Sequence, residues 1–481
     1  MKKYIYMILI IILLYVFFEN DSNNEKFTPF NVLTDYKNIK GLNELTKKVL
    51  LIFHKNNFTY WTCGGTLLGM IRDKGLIQWD DDVDLCIMDT DIKNLFKMEL
   101  ELNNQNLGIV KWFGGYKIYE LNGQDIPDKD FKYPFIDLFV YTIENDDKII
   151  LKNLYSRELW PNEYFYKNEV YPLKLYDFED YQLYGPNNSI NYLDRTFTDW
   201  KIKALKTYDH VKHENFKKTE FPIEYNKDAK PYLWQYWDGP KSSFITLSMK
   251  TVDTNCSNSF NIVRLNKDNI YDYLPEMREY EYKIKDILIA HKVDIYRIML
   301  LYKYGGIYLD ADIIVLKDPI EIMDKLKKYD FVGFGCTGSK CKNGYSKPSN
   351  WILASRPHSI LMAKVLENQL NQINNKNKFD YHDLGKLIIW KELEDLINNQ
   401  NYEYFHYDNK IDGSRDKYGN WINSDIVFSN RKIEYDDENN MIFFVYYNSD
   451  ISNDNKKISE NDLMNKDWNI TKYLKNGLKK F

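Results

Sequence analysis

The chain has 481 residues, 65 Lys and Arg against 70 Asp and Glu, and 16% aromatic residues. At roughly 150 residues per domain this length suggests two or three domains, each able to bury its own core. The mildly acidic, interspersed charge excludes the basic field that draws a protein onto nucleic acid, and 13 Pro with 21 Gly exclude a collagenous or low-complexity chain. The five cysteines, Cys63, Cys86, Cys256, Cys336 and Cys341, are too sparse for a disulfide scaffold. Only Cys336 and Cys341 invite pairing across a short loop, and free thiols are the expectation even there.

Met1, Lys2 and Lys3 precede an apolar run from Tyr4 to Phe18, and polarity returns at Glu19. Such a run spans about 20 Å as a helix, short of a full bilayer core. No small-residue cleavage site follows it, so an uncleaved signal anchor with a cytoplasmic N-terminus is expected, making the chain a single-pass type II membrane protein. Asn-X-Ser/Thr triplets at Asn20, Asn57, Asn187, Asn255 and Asn469 are compatible with a lumenal face.

The spacing predicts a helix over Leu42–Phe53 and a strand over Tyr133–Tyr141. Between them Trp61–Ile87 reads WTCGGTLLGMIRDKGLIQWDDDVDLCI. Gly64 and Gly65 allow close backbone approach to a ligand, and Thr66–Met70 reads as the first turn of a helix, a ready phosphate site. If the acidic run is a strand, its period of two sends Asp80, Asp82 and Asp84 to one face, where hard oxygen ligands suit Mg²⁺ or Mn²⁺. Asp137 lies in an apolar strand, where an unpaired charge is costly.

Gly-Gly-Thr-Leu-Leu-Gly, Arg72 and Trp79-Asp80-Asp81-Asp82-Val83-Asp84 resemble the signature of the LicD/fukutin family, phosphotransferases with a nucleotidyltransferase-like fold. The resemblance continues through Tyr171-Pro172-Leu173 and Phe178-Glu179-Asp180 to Trp200. It implies transfer of a phospho-alcohol, such as phosphocholine or ribitol phosphate, from a CDP-linked donor to a sugar hydroxyl. By motif, Asp80, Asp82, Asp84 and Asp137 would hold metal, with Asp137 helping to activate the acceptor. Gly64, Gly65 and Thr66 would cradle phosphate and Arg72 would neutralise it.

Farther on, Lys292–Pro319 reads KVDIYRIMLLYKYGGIYLDADIIVLKDP. A helix with Val293, Tyr296, Leu300 and Lys303 on one side ends at Gly305 and Gly306, and Asp294 and Arg297 share a face. Ile307–Leu309 is then a short strand ending on Asp310-Ala311-Asp312. This order resembles the Asp-X-Asp region of GT-A glycosyltransferases of the mannosyltransferase and capsular polysaccharide synthesis type, together with Trp234–Gly239 upstream and Asn350-Trp351-Ile352 downstream. The resemblance implies that Asp310 and Asp312 hold Mn²⁺ or Mg²⁺ and a sugar nucleotide, while Asp294 and Arg297, beside Gly305 and Gly306, contact the nucleotide sugar or order the site. His382 and His406 are weaker candidates for a further ligand.

The expected fold class is α/β and α+β. An anchor helix (1–24) precedes a nucleotidyltransferase-like domain (25–215), a polar linker (216–230), a GT-A-like, Rossmann-like domain (231–450) and a C-terminal tail (451–481). The expected function is a bifunctional glycan-building transferase with Mg²⁺ or Mn²⁺ in each domain. Its expected partners are CDP-alcohol and nucleotide-sugar donors, a glycan, glycolipid or glycoprotein acceptor, and a membrane through the N-terminal helix. Its expected place is the ER/Golgi lumen of a eukaryote or of a virus-infected cell. The alternatives are a single active glycosyltransferase with a non-catalytic LicD-like module, and a non-catalytic glycan-binding protein.

Overall fold

A computed structural model describes residues 33–479 apart from 212–213, 223–229, 337–345, 377 and 409–410. The expected anchor, the Asn20 triplet and the Cys336–Cys341 loop lie outside the described residues in whole or in part. No helix among the described residues is long and apolar enough to cross a membrane.

The N-terminal half opens with α1 (Tyr36–Lys55), longer than its predicted span, whose Ile39, Leu42, Leu45, Val49, Ile52 and Phe53 are buried at helical spacing. Strand β1 (Trp61–Thr62) leads into α2 (Gly64–Arg72), and β2 (Val83–Met88), β3 (Leu107–Trp112), β4 (Gly115–Asp125) and β5 (Lys132–Glu144) follow. They form a sheet of order β1-β2-β5-β4-β3, in which β2 and β5 run parallel and the other pairs antiparallel; β6 (Lys148–Leu151) and β7 (Tyr164–Tyr166) extend it from β5. A hairpin of β8 (Lys174–Phe178) and β9 (Tyr181–Gly185) precedes α3 (Ser189–Thr196).

Two expectations change here. Cys63 and Cys86 form a disulfide. The antiparallel register of β1 on β2 sets Trp61 opposite Cys86 and so brings Cys63 beside it, a proximity that separation along the chain hides. The expected linker is in part β11 (Glu214–Pro222), which pairs with β10 (Lys203–Asp209) as a two-stranded ribbon.

The C-terminal half is a mixed sheet of order β13-β12-β14-β17-β16-β18, built from β12 (Tyr232–Tyr236), β13 (Asn261–Leu265), β14 (Gly306–Leu309), β16 (Phe331–Cys336), β17 (Lys347–Ser355) and β18 (Phe405–Asp408). Both β13 and β14 lie parallel to β12, on opposite sides of it. Helix α4 (Ser243–Cys256) connects β12 to β13, and α5 (Ile289–Tyr304) feeds β14 through Gly305, whose φ of 66° and close contact with Pro357 leave no place for a side chain. Helices α6 (Ile360–Asn375) and α7 (Lys386–Gln400) pack on α5 and on each other.

A short ribbon pairs β15 (Ile313–Val315) with β19 (Phe443–Val445). The expected tail is no appendage: α8 (Asn469–Gly477) buries Ile470, Tyr473 and Leu474 against Phe244, Ile314 and Phe444. Two of the Asn-X-Ser/Thr triplets are structural as well. The Asn255 amide donates to the carbonyls of Thr251, Val315 and Gly477, and that of buried Asn469 to the carbonyls of Ile426 and Arg431.

The halves are packed together. The Arg356 guanidinium donates to both carboxylate oxygens of buried Glu179 (2.6 and 3.1 Å), which also accepts the Leu76 N–H at 2.8 Å. Trp79 meets His358 edge-on at 5.1 Å, and Tyr36 meets Tyr402 at 4.7 Å.

Candidate active site

The acidic motif does not enter as one strand, as the sequence suggested. Asp80, Asp81 and Asp82 lie in irregular chain, and only Asp84 sits in β2. Convergence comes from sheet register instead. Asp84 faces Asp137 across the parallel β2–β5 pair, and Lys117 faces Asp137 across β5–β4. Asp82, Asp84 and Asp137 present carboxylate oxygens within 4.8 Å of one another, and Asp80, Asp81, Asp82 and His210 form an adjoining group.

Counter-charge comes from two residues that local motifs did not indicate. Lys117 forms a buried ion pair with Asp137 and lies 3.8 Å from the Phe135 ring. His210, at the end of β10, places Nδ1 2.6 Å from Asp81 and Nε2 3.1 Å from Asp82. Burial would lower the His210 pKa, but Asp82 and Asp81 outweigh it and raise it to about 10. Burial, reinforced by the neighbouring carboxylates, pushes Asp80 and Asp84 well above the usual range, and burial raises Asp82 to about 6. Burial works against Asp81 too, yet its hydrogen bond with His210 prevails and holds it low.

Asp80, Asp82, Asp84 and Asp137 line a cavity of about 640 Å³ with Gly64, Gly65, Lys117, His210 and Glu163, and Asp81 lies outside it. One wall is aromatic: Trp112 and Phe113 (4.5 Å), Phe113 stacked on Trp160 (5.7 Å), and Phe139 against both Trp112 and Trp160. Glu163 accepts hydrogen bonds from Tyr192 and Tyr141, and burial raises its pKa to about 7.

The glycines have a different local task from the expected phosphate cradle. The Gly64 N–H donates to the Tyr192 hydroxyl, and the Gly65 N–H to Asp84 at 3.0 Å. A Cβ on Gly64 would stand 2.2 Å from Asp84 Oδ2, and one on Gly65 2.5 Å from Asp80 Oδ2. Thr66 Oγ1 accepts the Asp84 N–H. Arg72 is not among the cavity residues. Its buried guanidinium pairs with Asp73 and lies 5.8 Å from the Trp79 ring, on the side facing the second half.

In the second half, Asp310 follows β14 and is gripped by Arg297 at 3.1 Å; Arg297 also approaches Asp294 at 3.4 Å and donates to the Asn350 carbonyl. Asn350 in turn donates to Asp294 at 2.6 Å. Asp294 and Arg297 are thus buried residues that order Asp310, and burial lifts Asp294 to about 6. Asp312 accepts the Asn448 N–H at 3.0 Å, and burial with Asp310 nearby raises it to about 7. Because β13 and β14 flank β12, the chain reverses its winding at the carboxyl end of β12, where open α/β sheets bind ligands. A crevice of about 400 Å³ there is lined by Trp237, Asp238, Gly239, Arg264 and Asn266 among others. Gly306 opens β14 behind this edge. His382 is exposed, and His406 lies on the edge strand β18.

The family described as LicD/FKTN/FKRP, nucleotidyltransferase domain, matches residues 57–188, and the capsular polysaccharide synthesis protein family matches residues 186–412. An uncharacterized protein of Rickettsia typhi is 32% identical over 203 residues, 41% of this chain and 60% of that protein. One of Rickettsia prowazekii is 32% identical over 202 residues, 40% of this chain and 71% of that protein. The lipopolysaccharide cholinephosphotransferase LicD of Haemophilus influenzae is 30% identical over 116 residues, 21% of this chain and 44% of that protein. The chain therefore spans less than two thirds of two of these three relatives. Among solved structures, the PaToxG glycosyltransferase is 18% identical over 35% of this chain and 70% of that one, with a TM-score of 0.27, too low to carry an argument.

Proposed function

We propose that this chain, which carries a LicD/FKTN/FKRP-type nucleotidyltransferase domain followed by a capsular polysaccharide synthesis domain, is a two-site transferase of glycan synthesis. Its first half moves a phospho-alcohol and its second half a sugar. The observation that carries this reading is the convergence of Asp80, Asp82, Asp84 and Asp137 in one aromatic-walled cavity.

Clustered hard oxygen donors, of which Asp80, Asp82 and Asp84 are pushed up first by burial and then by neighbouring carboxylates, fit Mg²⁺ or Mn²⁺, held by Asp82, Asp84 and Asp137 with Asp80 beside them. Such an ion, when bound, supplies charge neutralisation to a diphosphate. In the transfer, the acceptor hydroxyl gives its proton to a carboxylate of the cavity and its oxygen forms a bond to the phosphorus bearing the alcohol, while the diphosphate bridge bond breaks and CMP leaves with the electron pair. Lys117 holds Asp137 in place through their buried ion pair, and His210 bridges Asp81 and Asp82. The aromatic wall suits a cytosine ring or a trimethylammonium head, so phosphocholine, the group in the Haemophilus relative's name, is favoured over a polyol phosphate.

In the second half, Asp310 and Asp312, which follow β14 next to β12, are the groups that would hold a divalent ion and a nucleoside diphosphate leaving group. A type II orientation in a secretory lumen belongs to this reading. The Cys63–Cys86 disulfide, which needs an oxidising compartment in most organisms, supports it.

The test is metal-dependent hydrolysis of CDP-choline, CDP-ribitol and a panel of nucleotide sugars by the full chain. Asp82→Asn with Asp84→Asn should abolish turnover of the CDP-alcohol and spare that of the sugar nucleotide, and Asp310→Asn with Asp312→Asn should do the reverse. Full activity in excess chelator would sink the reading.

A further inference from the structure

Asp310 and Asp312 follow β14, which pairs with β12 on one side and with β17 on the other, and the chain hydrogen-bonded around them carries aromatic rings. Strand β17 pairs antiparallel with β14, and its Trp351 carbonyl accepts the Asp310 N–H at 2.9 Å. From the opposite direction the β15–β19 ribbon brings in Tyr447 and Asn448, whose N–H grips Asp312. The residues that carry two of the rings, or adjoin them, are thus hydrogen-bonded to the acid pair itself.

The third ring is Trp421, stacked on Tyr447 at 5.4 Å with 22° between planes and 6.0 Å from Trp351; Trp351 meets Tyr447 edge-on at 5.9 Å. Trp351 is held by its indole N–H to Asp412, a carboxylate with no exposure. The shelf is open, since Trp421 is 36% exposed, and it is edged by the Arg415 guanidinium 5.1 Å from the Trp421 ring. The Tyr447 hydroxyl is buried and has no hydrogen-bond partner among the described residues, so the open part of the shelf is Trp421 with Arg415 at its edge. Trp421 and Tyr447 lie beyond residue 412, where the capsular-synthesis match ends.

A shelf of aromatic faces rimmed by hydrogen-bonding groups matches a pyranose, whose axial C–H bonds form an apolar face and whose hydroxyls form a polar edge. None of the three rings lines the β12 crevice, and the chain that carries Trp351 and Tyr447 is hydrogen-bonded to the acid pair. We infer that Trp351, Trp421 and Tyr447 form the acceptor subsite of the second half and hold a pyranose unit of the acceptor glycan. The inference rests on the sugar-transfer reading and adds the place and chemistry of the acceptor.

The experiment uses the full chain with Mg²⁺ and three probes, methyl α-mannopyranoside, methyl β-glucopyranoside and methyl β-galactopyranoside, read by saturation-transfer NMR. The wild type should saturate at least one probe. Trp421→Ala should weaken that binding about tenfold, as loss of one stacking contact predicts, and Trp421→Phe should restore most of it. Hydrolysis of the nucleotide sugar, read in parallel, should stay within about twofold of wild type. Undiminished probe binding in Trp421→Ala overturns the inference, as does absence of binding in the wild type. A parallel loss of donor hydrolysis also overturns it, by making the shelf part of the donor site. Pyranoside binding through Trp421 in a protein that turns over no nucleotide sugar overturns the transfer reading and the acceptor role together.

Discussion

Gly64 shows how tightly the first site is drawn around its acids. Its φ of 55° and the 2.2 Å that would separate a Cβ from Asp84 Oδ2 mean that any side chain must displace that carboxylate. Gly64→Ala should therefore cut CDP-alcohol turnover about a hundredfold, the cost of an ångström-scale misplacement, while nucleotide-sugar hydrolysis in the same preparation stays intact. Buried Asp412 gives a pH signature in the second half. Burial raises its folded pKa to about 7 from 3.8. A raised folded pKa contributes stability that is present below 3.8 and lost as pH climbs through about 7. Melting temperatures measured between pH 5 and 8 should fall with pH in the wild type and fall less steeply in Asp412→Asn. That Asp80, Asp82, Asp84 and Asp137 gather in one cavity was foreshadowed by the alternating acids of one short motif and by a lone carboxylate in an apolar strand. Lys117 and His210 were not, since each meets its carboxylate through pairing or packing of chain far away in sequence.

Among the elements, the sheet of the N-terminal half does what the acidic run was expected to do alone. The parallel β2–β5 register, with β4 beside it, lines up Asp84, Asp137 and Lys117. Apolar patterning gave β5, β14 and the later turns of α1 nearly as observed, because burial of one face or of a whole strand leaves that trace; α5, buried on every side from Val293 to Tyr302, was marked by the glycines that end it. Such patterning gave no hint of β11, whose polar composition reads as linker, nor of α8, whose burial draws on Phe244 and Ile314, more than 100 residues away, as well as on nearby Phe444. The Cys63–Cys86 bond belongs to this scale too, since the β1–β2 pairing creates it across 23 residues of chain. Cys63→Ser with Cys86→Ser should cost about 3 kcal/mol, read by denaturant unfolding. In the wild type, thiol counting should find Cys63 and Cys86 unreactive until a reductant is added.

At the scale of the whole molecule, the sequence suggested two domains on a polar tether, and the structure instead packs them through Glu179, Arg356, Trp79 and His358. Glu179 also holds the Leu76 N–H just ahead of the acidic run, so the second half braces the loop that carries Asp80 and Asp82. Arg356→Met, which leaves Glu179 buried without its partner, should destabilise the chain by about 3 kcal/mol. It should also weaken metal-dependent CDP-alcohol turnover while Glu179→Gln with Arg356→Met recovers much of the stability; unfolding curves and donor hydrolysis check both. That ion pair bears on how such a protein can change over generations. Two enzymes joined by a slack tether can be parted again by a single break in the coding sequence, each fragment leaving with its own activity. Once a desolvated carboxylate on one fragment depends on a guanidinium on the other, parting them strands a charge in an apolar surface. The join then works as a ratchet, and the two halves are inherited together or not at all.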